Sequence, residues 1–242
     1  MNAIETKGLT KCFKNRVAVD HLDLTVQEGE LFALLGQNGA GKTTTIRMLC
    51  CLTKPTEGDA LLLGDSIVTQ EEAVKQKLNV SPQETAVASK LSVQENLELV
   101  ARIYGSNKRE AKQKAQRMME AFSLTDRAKD RAKSLSGGLQ RRLSIAMALI
   151  TDPKVLFLDE PTLGLDVRAR RDLWKVVEGL KGKITVVLTT HYLEEAEALS
   201  DRIGIMHQGK MQVLGTAEEI TASTGKATFE DAFLALTDEG VE

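Results

Sequence analysis

The sequence predicts a mostly parallel α/β sheet interrupted by a helical lobe, and three observations carry that prediction. Leu31-Phe32-Ala33-Leu34-Leu35 and Val155-Leu156-Phe157-Leu158 are apolar without alternation, as strands buried on both faces are. Further strand-like runs at 184–188 and 202–206 are separated by helical stretches, and strands alternating with helices build parallel sheets. Between Leu91 and Ile150 the texture is helical.

Taken in order, two β-like runs open the chain, at 4–13 and 17–26. The second alternates imperfectly through Val17, Val19, Leu22, Leu24 and Val26. The turn Gln27-Glu28-Gly29-Glu30 feeds the run 31–35, and a Gly-rich turn and a helix from about Lys42 follow. Gly58 and Gly64 bound a strand at 60–63. In the helical stretch Val93, Leu97, Val100, Ala101 and Tyr104 fall on one stripe, as do Ala111, Ala115, Met118, Met119 and Phe122. The hairpin turn His207-Gln208-Gly209-Lys210 precedes a short strand and two terminal helices, and Phe229, Phe233 and Leu236 share a face of the last. This organisation is one domain: a core of 1–83 and 151–215, a helical lobe of 84–150 and a helical tail of 216–242.

The bulk properties exclude several functions. At 242 residues and 42% apolar content the chain can bury a full core as one large domain. A net charge of −2 argues against a general nucleic-acid binder, so no nucleic-acid partner is expected. Charge is unevenly placed: residues 107–133 hold nine Lys/Arg against four Asp/Glu, and the tail from Thr216 holds seven acids against one Lys. The basic stretch reads as a solvated helix face. Cys12, Cys50 and Cys51 form no disulfide framework and lack metal-ligand spacing, which suits a reducing compartment and small apolar fillers. The N-terminus has no signal-peptide run, and no segment approaches the ~18 apolar residues that cross a bilayer. Any membrane role must come through a partner.

Gly36-Gln37-Asn38-Gly39-Ala40-Gly41-Lys42-Thr43 matches G-x-x-x-x-G-K-[ST], with a buried strand before it and a helix after. Its glycines let the backbone curl until successive N–H groups surround phosphate oxygens, and the helix points its positive end there. Lys42 adds a point charge for the β/γ-phosphates, the Thr43 hydroxyl is a Mg²⁺ ligand, and Thr44 continues the site. This chain is therefore expected to bind a nucleoside triphosphate. A second half of the site is Asp159-Glu160, at the carboxyl end of the run 155–158, where open α/β sheets bind ligands. Asp159 is placed to hold Mg²⁺ through water. Glu160 is placed to polarise the attacking water as a general base, an effect worth about 10²–10⁴-fold. Two acids could merely cap the next helix, but Pro161 makes a simple cap less natural.

Leu135-Ser136-Gly137-Gly138-Leu139-Gln140 decides among P-loop classes, because it resembles the LSGG signature of ABC ATPases. Two bare glycines at a helix start, with the Ser136 hydroxyl, make a second anion-binding turn; alone, the same residues would be only an N-cap and a turn. Other elements follow the family's order. Phe13 matches the aromatic that stacks on adenine, and Gln83 the glutamine that senses Mg²⁺ and links the lobes. Leu165-Asp166 matches the loop crossing a dimer interface, and His191 the switch histidine that contacts the γ-phosphate. The resemblance covers Ala3 to about Met211. It implies an ATP-hydrolysing P-loop fold of the ABC type, with an N-terminal antiparallel β region and an inserted helical subdomain. It also implies a head-to-tail dimer, of like or paralogous chains, sandwiching two ATP and Mg²⁺ between Lys42 cradles and Ser136 turns. Gln140 and Asp166 join Ser136, Gly137 and Gly138 on the nucleotide. Lys42, Gln83, Glu160 and His191 carry the chemistry, and Thr43, Gln83 and Asp159 hold the ion. A separate integral-membrane permease is the implied partner, which places the chain on the cytoplasmic face of the membrane.

Residues 43–49 (TTTIRML), 191–197 (HYLEEAE) and 230–237 (EDAFLALT) resemble the ABC-2 drug-export and nodulation-export branch. Of three other uses of an ABC cassette, two would leave their own marks on a sequence. A chromosome-maintenance ATPase would carry a long coiled coil between its lobes, and a translation-type protein two cassettes. A single-cassette ATPase that assembles cofactors or moves lipids would carry the same motifs. In a P-loop GTPase or kinase, residues 136–140 would have no task.

Overall fold

The structure is a computed structural model that describes residues 1–238; the last four residues of the predicted tail lie outside the described residues. β4 (Leu31–Leu35) runs through its middle, all five side chains buried. Leu31, Ala33 and Leu35 pack into one hydrophobic cluster, and Phe32 and Leu34 into another on the opposite face. β8 (Val155–Asp159) divides in the same way, with Leu156 and Leu158 on one side and Val155 and Phe157 on the other. A continuous apolar run is what a strand between two cores requires. Truncating the fully buried Phe157 would cost about 3–5 kcal/mol.

Around β4 a six-stranded sheet forms in the order β11 (Lys210–Gly215), β10 (Arg202–His207), β4, β9 (Thr185–Thr190), β8 and β7 (Leu78–Ser81). Only the β10–β11 pair is antiparallel. Leu35 stands beside Thr190 and Asp159 beside Thr189, so three strands deliver their carboxyl ends to one edge. The reading from sequence had no strand at 78–81. Leu78-Asn79-Val80-Ser81 is half polar, and parallel pairing with β8 makes it a strand.

Against one face lies an antiparallel sheet of β1 (Asn2–Phe13), β2 (Arg16–Leu22), β3 (Thr25–Gln27), β5 (Glu57–Leu62) and β6 (Asp65–Ser66). The predicted single strand at 17–26 is two strands here. β1 bends past Gly8, which has φ +56°. Its first half therefore pairs with β3 and its second half with β2. His21, in left-handed backbone at φ +46°, makes a bulge in β2 between Val19 and Leu22, and the break to β3 falls at 23–24. The sequence reading also missed β6 and the short α2 (Glu71–Lys75).

Between α1 (Lys42–Leu49) and β8 the chain builds three longer helices: α3 (Val93–Ile103), α4 (Lys108–Ala121) and α5 (Gly137–Leu149). α3 and α4 start with capping boxes, Ser92/Glu95 and Asn107/Glu110. Val93, Leu97, Ala101, Ala111, Ala115, Met119 and Phe122 are buried. Tyr104 corrects the predicted stripe: it caps α3 and is 59% exposed. Cys50 is buried and the half-buried Cys51 packs against the same core, but Cys12 is only half-buried and is not a core filler. After α6 (Val167–Glu178) and α7 (Leu193–Leu199), α8 (Ala217–Thr224) and α9 (Phe229–Thr237) close the fold. Phe229 and Phe233 are buried and Leu236 packs against them, so this face is a docking face. Among the described residues, no helix is long and apolar enough to cross a membrane.

Candidate functional site

At the carboxyl edge of the central sheet, β4 ends in a loop that turns into α1. The loop must be glycine where it is tightest. A Cβ on Gly36 would sit 2.4 Å from the Met206 carbonyl oxygen. One on Gly41, at φ +109°, would sit 2.5 Å from that of Ala18. Lys42 then opens α1 with its side chain 6% exposed. Its Nζ donates to the carbonyls of Gly36 at 2.7 Å and Gln37 at 3.3 Å.

The end of β8 brings two acids to the same place, and the end of β9 brings Thr189 and His191. Lys42 Nζ stands 3.4 Å from Glu160 Oε1, and His191 Nδ1 donates to Glu160 Oε2 at 2.7 Å. Thr43 Oγ1 donates to Asp159 Oδ1 at 3.1 Å. Beneath them the fully buried Thr189 donates to Asp159 Oδ1 at 2.5 Å and accepts from the Glu160 N–H at 3.1 Å. Glu160 itself has φ +47°, which costs a non-glycine residue about 1–2 kcal/mol. The strain turns its carboxylate away from the strand and toward Lys42 and His191.

Lys42, Thr43, Glu160 and His191 line a cleft of ≈ 650 Å³ together with Phe13, Asn38, Gly39, Ala40, Gly41, Thr44 and Gln83. Phe13 ends β1 and is 50% exposed, with Lys11 Nζ 5.1 Å from its ring centre. An exposed aromatic at the cleft is not a core residue. Gly36 and Gln37 adjoin the cleft through Lys42, and Asp159 adjoins it through Thr43. A larger cleft of ≈ 890 Å³ lies between α7, α8 and α9. It shares only His191 with the first and has no glycine loop, so chemistry rather than volume selects the site.

The structure does not bring the signature residues to this cleft. Ser136 caps α5, its Oγ accepting from the Leu139 N–H at 3.4 Å. Gly137 is exposed, and a Cβ built there meets nothing within 4 Å. Gln140 Nε2 donates to the Leu135 carbonyl at 3.1 Å. Asp166 caps α6, accepting from the Ala169 N–H at 2.9 Å. Ser136, Gly137, Gly138, Gln140 and Asp166 thus form a second, outward-facing group; a Cβ on Gly138 would lie 3.1 Å from Ala169 of α6.

Sequence reasoning missed Arg16, which lines the cleft and donates to the Gly39 carbonyl at 3.3 Å, and it missed Thr189. It also missed two buried charges behind the site. Arg141 is 4% exposed, and burial pushes its guanidinium down to about 10 against the pull of Asp159, Glu195 and Glu160. Glu195 is fully buried and accepts from Trp174 Nε1 at 3.1 Å. Burial raises its carboxyl above the ordinary value, against the pull of the polar groups of Thr190, Thr162 and Trp174 beside it. A charged residue inside a helix gives no local sign of burial: Arg141 lies between Gln140 and Arg142, and Glu195 follows Glu194.

A glycine loop between a buried parallel strand and a helix, with Lys-Thr after it and Asp-Glu at a neighbouring strand end, defines a P-loop nucleoside-triphosphatase fold. Residues 19–163 match the family described as ABC transporter. The chain is 42% identical over 225 residues to the daunorubicin/doxorubicin resistance ATP-binding protein DrrA of Streptomyces peucetius, covering 92% of this chain and 68% of that protein. It is 39% identical over 239 residues to the probable multidrug ABC transporter ATP-binding protein YbhF of Escherichia coli, covering 96% of this chain and 41% of that one. A solved ATP-binding subunit of an ABC transporter superposes with a TM-score of 0.86 at 28% identity, covering 98% of this chain and all of that one. A dimeric cassette, MJ0796 bound to ADP and Pi, superposes at 0.79 with 26% identity, over 88% and 98% of the two chains. The chain belongs to the ABC transporter family, and ATP-binding proteins of drug resistance are among the cassettes it is similar to.

Proposed function

We propose that the chain is the ATP-hydrolysing subunit of an exporter whose membrane-spanning permease is a separate protein. The observation that carries this is the run of contacts Lys42–Glu160–His191 at the head of α1. ATP stacks its base on Phe13 and lays its phosphates along the N–H groups of 37–43, with Lys42 against the β/γ-phosphates and His191 at the γ-phosphate. Glu160 takes a proton from water, the water oxygen bonds to the γ-phosphorus, and the bond to the bridging oxygen breaks, leaving ADP and phosphate. Hard oxygen ligands suit Mg²⁺, and Thr43 Oγ1 beside Asp159 Oδ1 offers them. Gln83 lines the same cleft, so Thr43, Asp159 and Gln83 would hold the ion. When bound, it neutralises phosphate charge.

The Ser136 turn faces away from the cleft of its own chain, so we assign it to the nucleotide of a second cassette. A two-fold, head-to-tail dimer then has two sites, each of one Lys42 cradle and one Ser136 turn. In this reading 1–83 and 151–215 act as the motor core, 84–150 as the lobe that carries the signature, and 216–242 as a docked tail. The permease sits near Gln83 and the lobe, holding the chain on the cytoplasmic face of the membrane. The drug-resistance relatives and the dimeric neighbour support export and pairing.

Mixing two dead variants tests the shared site. Lys42→Ala and Ser136→Arg homodimers, each broken at both sites, should be inactive alone. Random exchange makes half the dimers heterodimers, each with one intact site, so about a quarter of wild-type ATPase activity returns if the sites fire independently. A Ser136→Arg protein fully active on its own would show that one subunit holds the whole site.

A further inference from the structure

Arg141 lies on the first turns of α5, five residues after Ser136, and points inward. Among the described residues no carboxylate is a hydrogen-bond partner of it; every partner is a main-chain carbonyl. Nη2 donates to Asp159 at 2.8 Å and Nε to Pro161 at 2.9 Å. Nη1 donates to Pro82, and to Gln83 at 3.4 Å. The two peptides it grips in the 159–161 segment flank Glu160, the residue held at φ +47°. The other two precede and include the Gln83 that lines the cleft. One planar guanidinium with donors at fixed angles thus joins three segments remote in sequence.

We propose that Arg141 is a positioning residue for ATP hydrolysis, locking the turn that aims Glu160 to both the signature helix and the Gln83 segment. A nucleotide engaging the Ser136 turn from a second copy bears on the same helix, and Arg141 carries that shift to the peptides around the base. This rests on the reading of Glu160 as the base. A buried charge retained for packing alone would need only neutralisation, and Asp159, Glu195 and Glu160 supply opposite charge nearby. The fork geometry on four carbonyls is specific to holding backbone.

Arg141→Lys keeps the charge but loses the fork, and Arg141→Met keeps the stem alone. Both should bind ATP by calorimetry within about threefold of wild type, with KM equally close, while kcat falls about tenfold for Lys and further for Met. Residues that act as one unit are non-additive, so Arg141→Lys added to Glu160→Gln should slow the residual single-turnover rate less than about twofold. Full kcat in Arg141→Lys overturns the proposal. So does loss of ATP binding in both variants, which would make Arg141 a packing residue, and so does a full tenfold loss on top of Glu160→Gln. Near-normal turnover of Glu160→Gln alone would instead remove the base assignment, whatever Arg141 does.

Discussion

The phosphate cradle and the signature turn are both glycine-rich turns that open a helix, yet the chain treats them in opposite ways. In the cradle, Gly36 and Gly41 are pressed against the carbonyls of Met206 and Ala18, and Lys42 is buried with three polar partners. In the signature turn Gly137 faces open space and Ser136 is exposed. Packing within one molecule explains every glycine of the first pair and neither the openness nor the exposure of the second. The cradle is therefore pre-organised by its own fold, and the signature turn is left open by it.

The largest expected effect breaks the cradle chemically without moving it. Glu160→Gln keeps shape while removing the basic oxygen. Turnover should fall about 10²-fold or more while ATP binding persists, and an ATP-bound dimer should accumulate on size exclusion. Near-normal turnover would mean that the buried Lys42–Glu160–His191 contacts are structural only.

One substitution made in both places sharpens the contrast. Gly36→Ala drives a Cβ into backbone and should destabilise by about 1–3 kcal/mol in thermal melting. Gly137→Ala meets no neighbour and should melt within about 0.5 kcal/mol of wild type, while turnover falls. Equal melting of the two variants would erase the difference argued here.

The smallest effect concerns Glu195, on the wall behind the cradle. Burial raises its folded-state pKa above the ordinary 4.5. The native state then holds the proton more tightly than the unfolded chain, a contribution present below that value and lost as pH rises. Glu195→Gln lacks this loss, so its Tm relative to wild type should climb from about pH 4.5 to pH 7. A Tm difference that is flat or moves the other way would show a carboxylate stabilised by its hydrogen bonds instead.

Much of this was legible in the sequence because some residues have one physical use. An unbroken apolar run such as 31–35 fits only a strand with cores on both sides, and Gly41-Lys42-Thr43 after it fits little but a phosphate site. Other features gave no local sign. The strand 78–81 has two polar residues in four and exists through its pairing with β8. The break at 23–24 follows from the bend of β1, whose two halves face different partners. Tyr104 keeps the helical period but falls where α3 ends, so the core never reaches it.

By itself, then, the sequence determined the class of fold and the types of residue at the site, since periodicity, glycine spacing and the order of motifs are local properties of a chain. Only the tertiary structure decided which of those residues meet. It put the ends of β4, β8 and β9 side by side, set Glu160 between Lys42 and His191, and left Ser136 facing outward. It also drew Arg141 under the site, half of an Arg-Arg pair that local reading would leave in solvent. The reason is that burial of a charge depends on which carbonyls the fold gathers around it, and those of 82–83 and 159–161 become neighbours only when the sheet has formed.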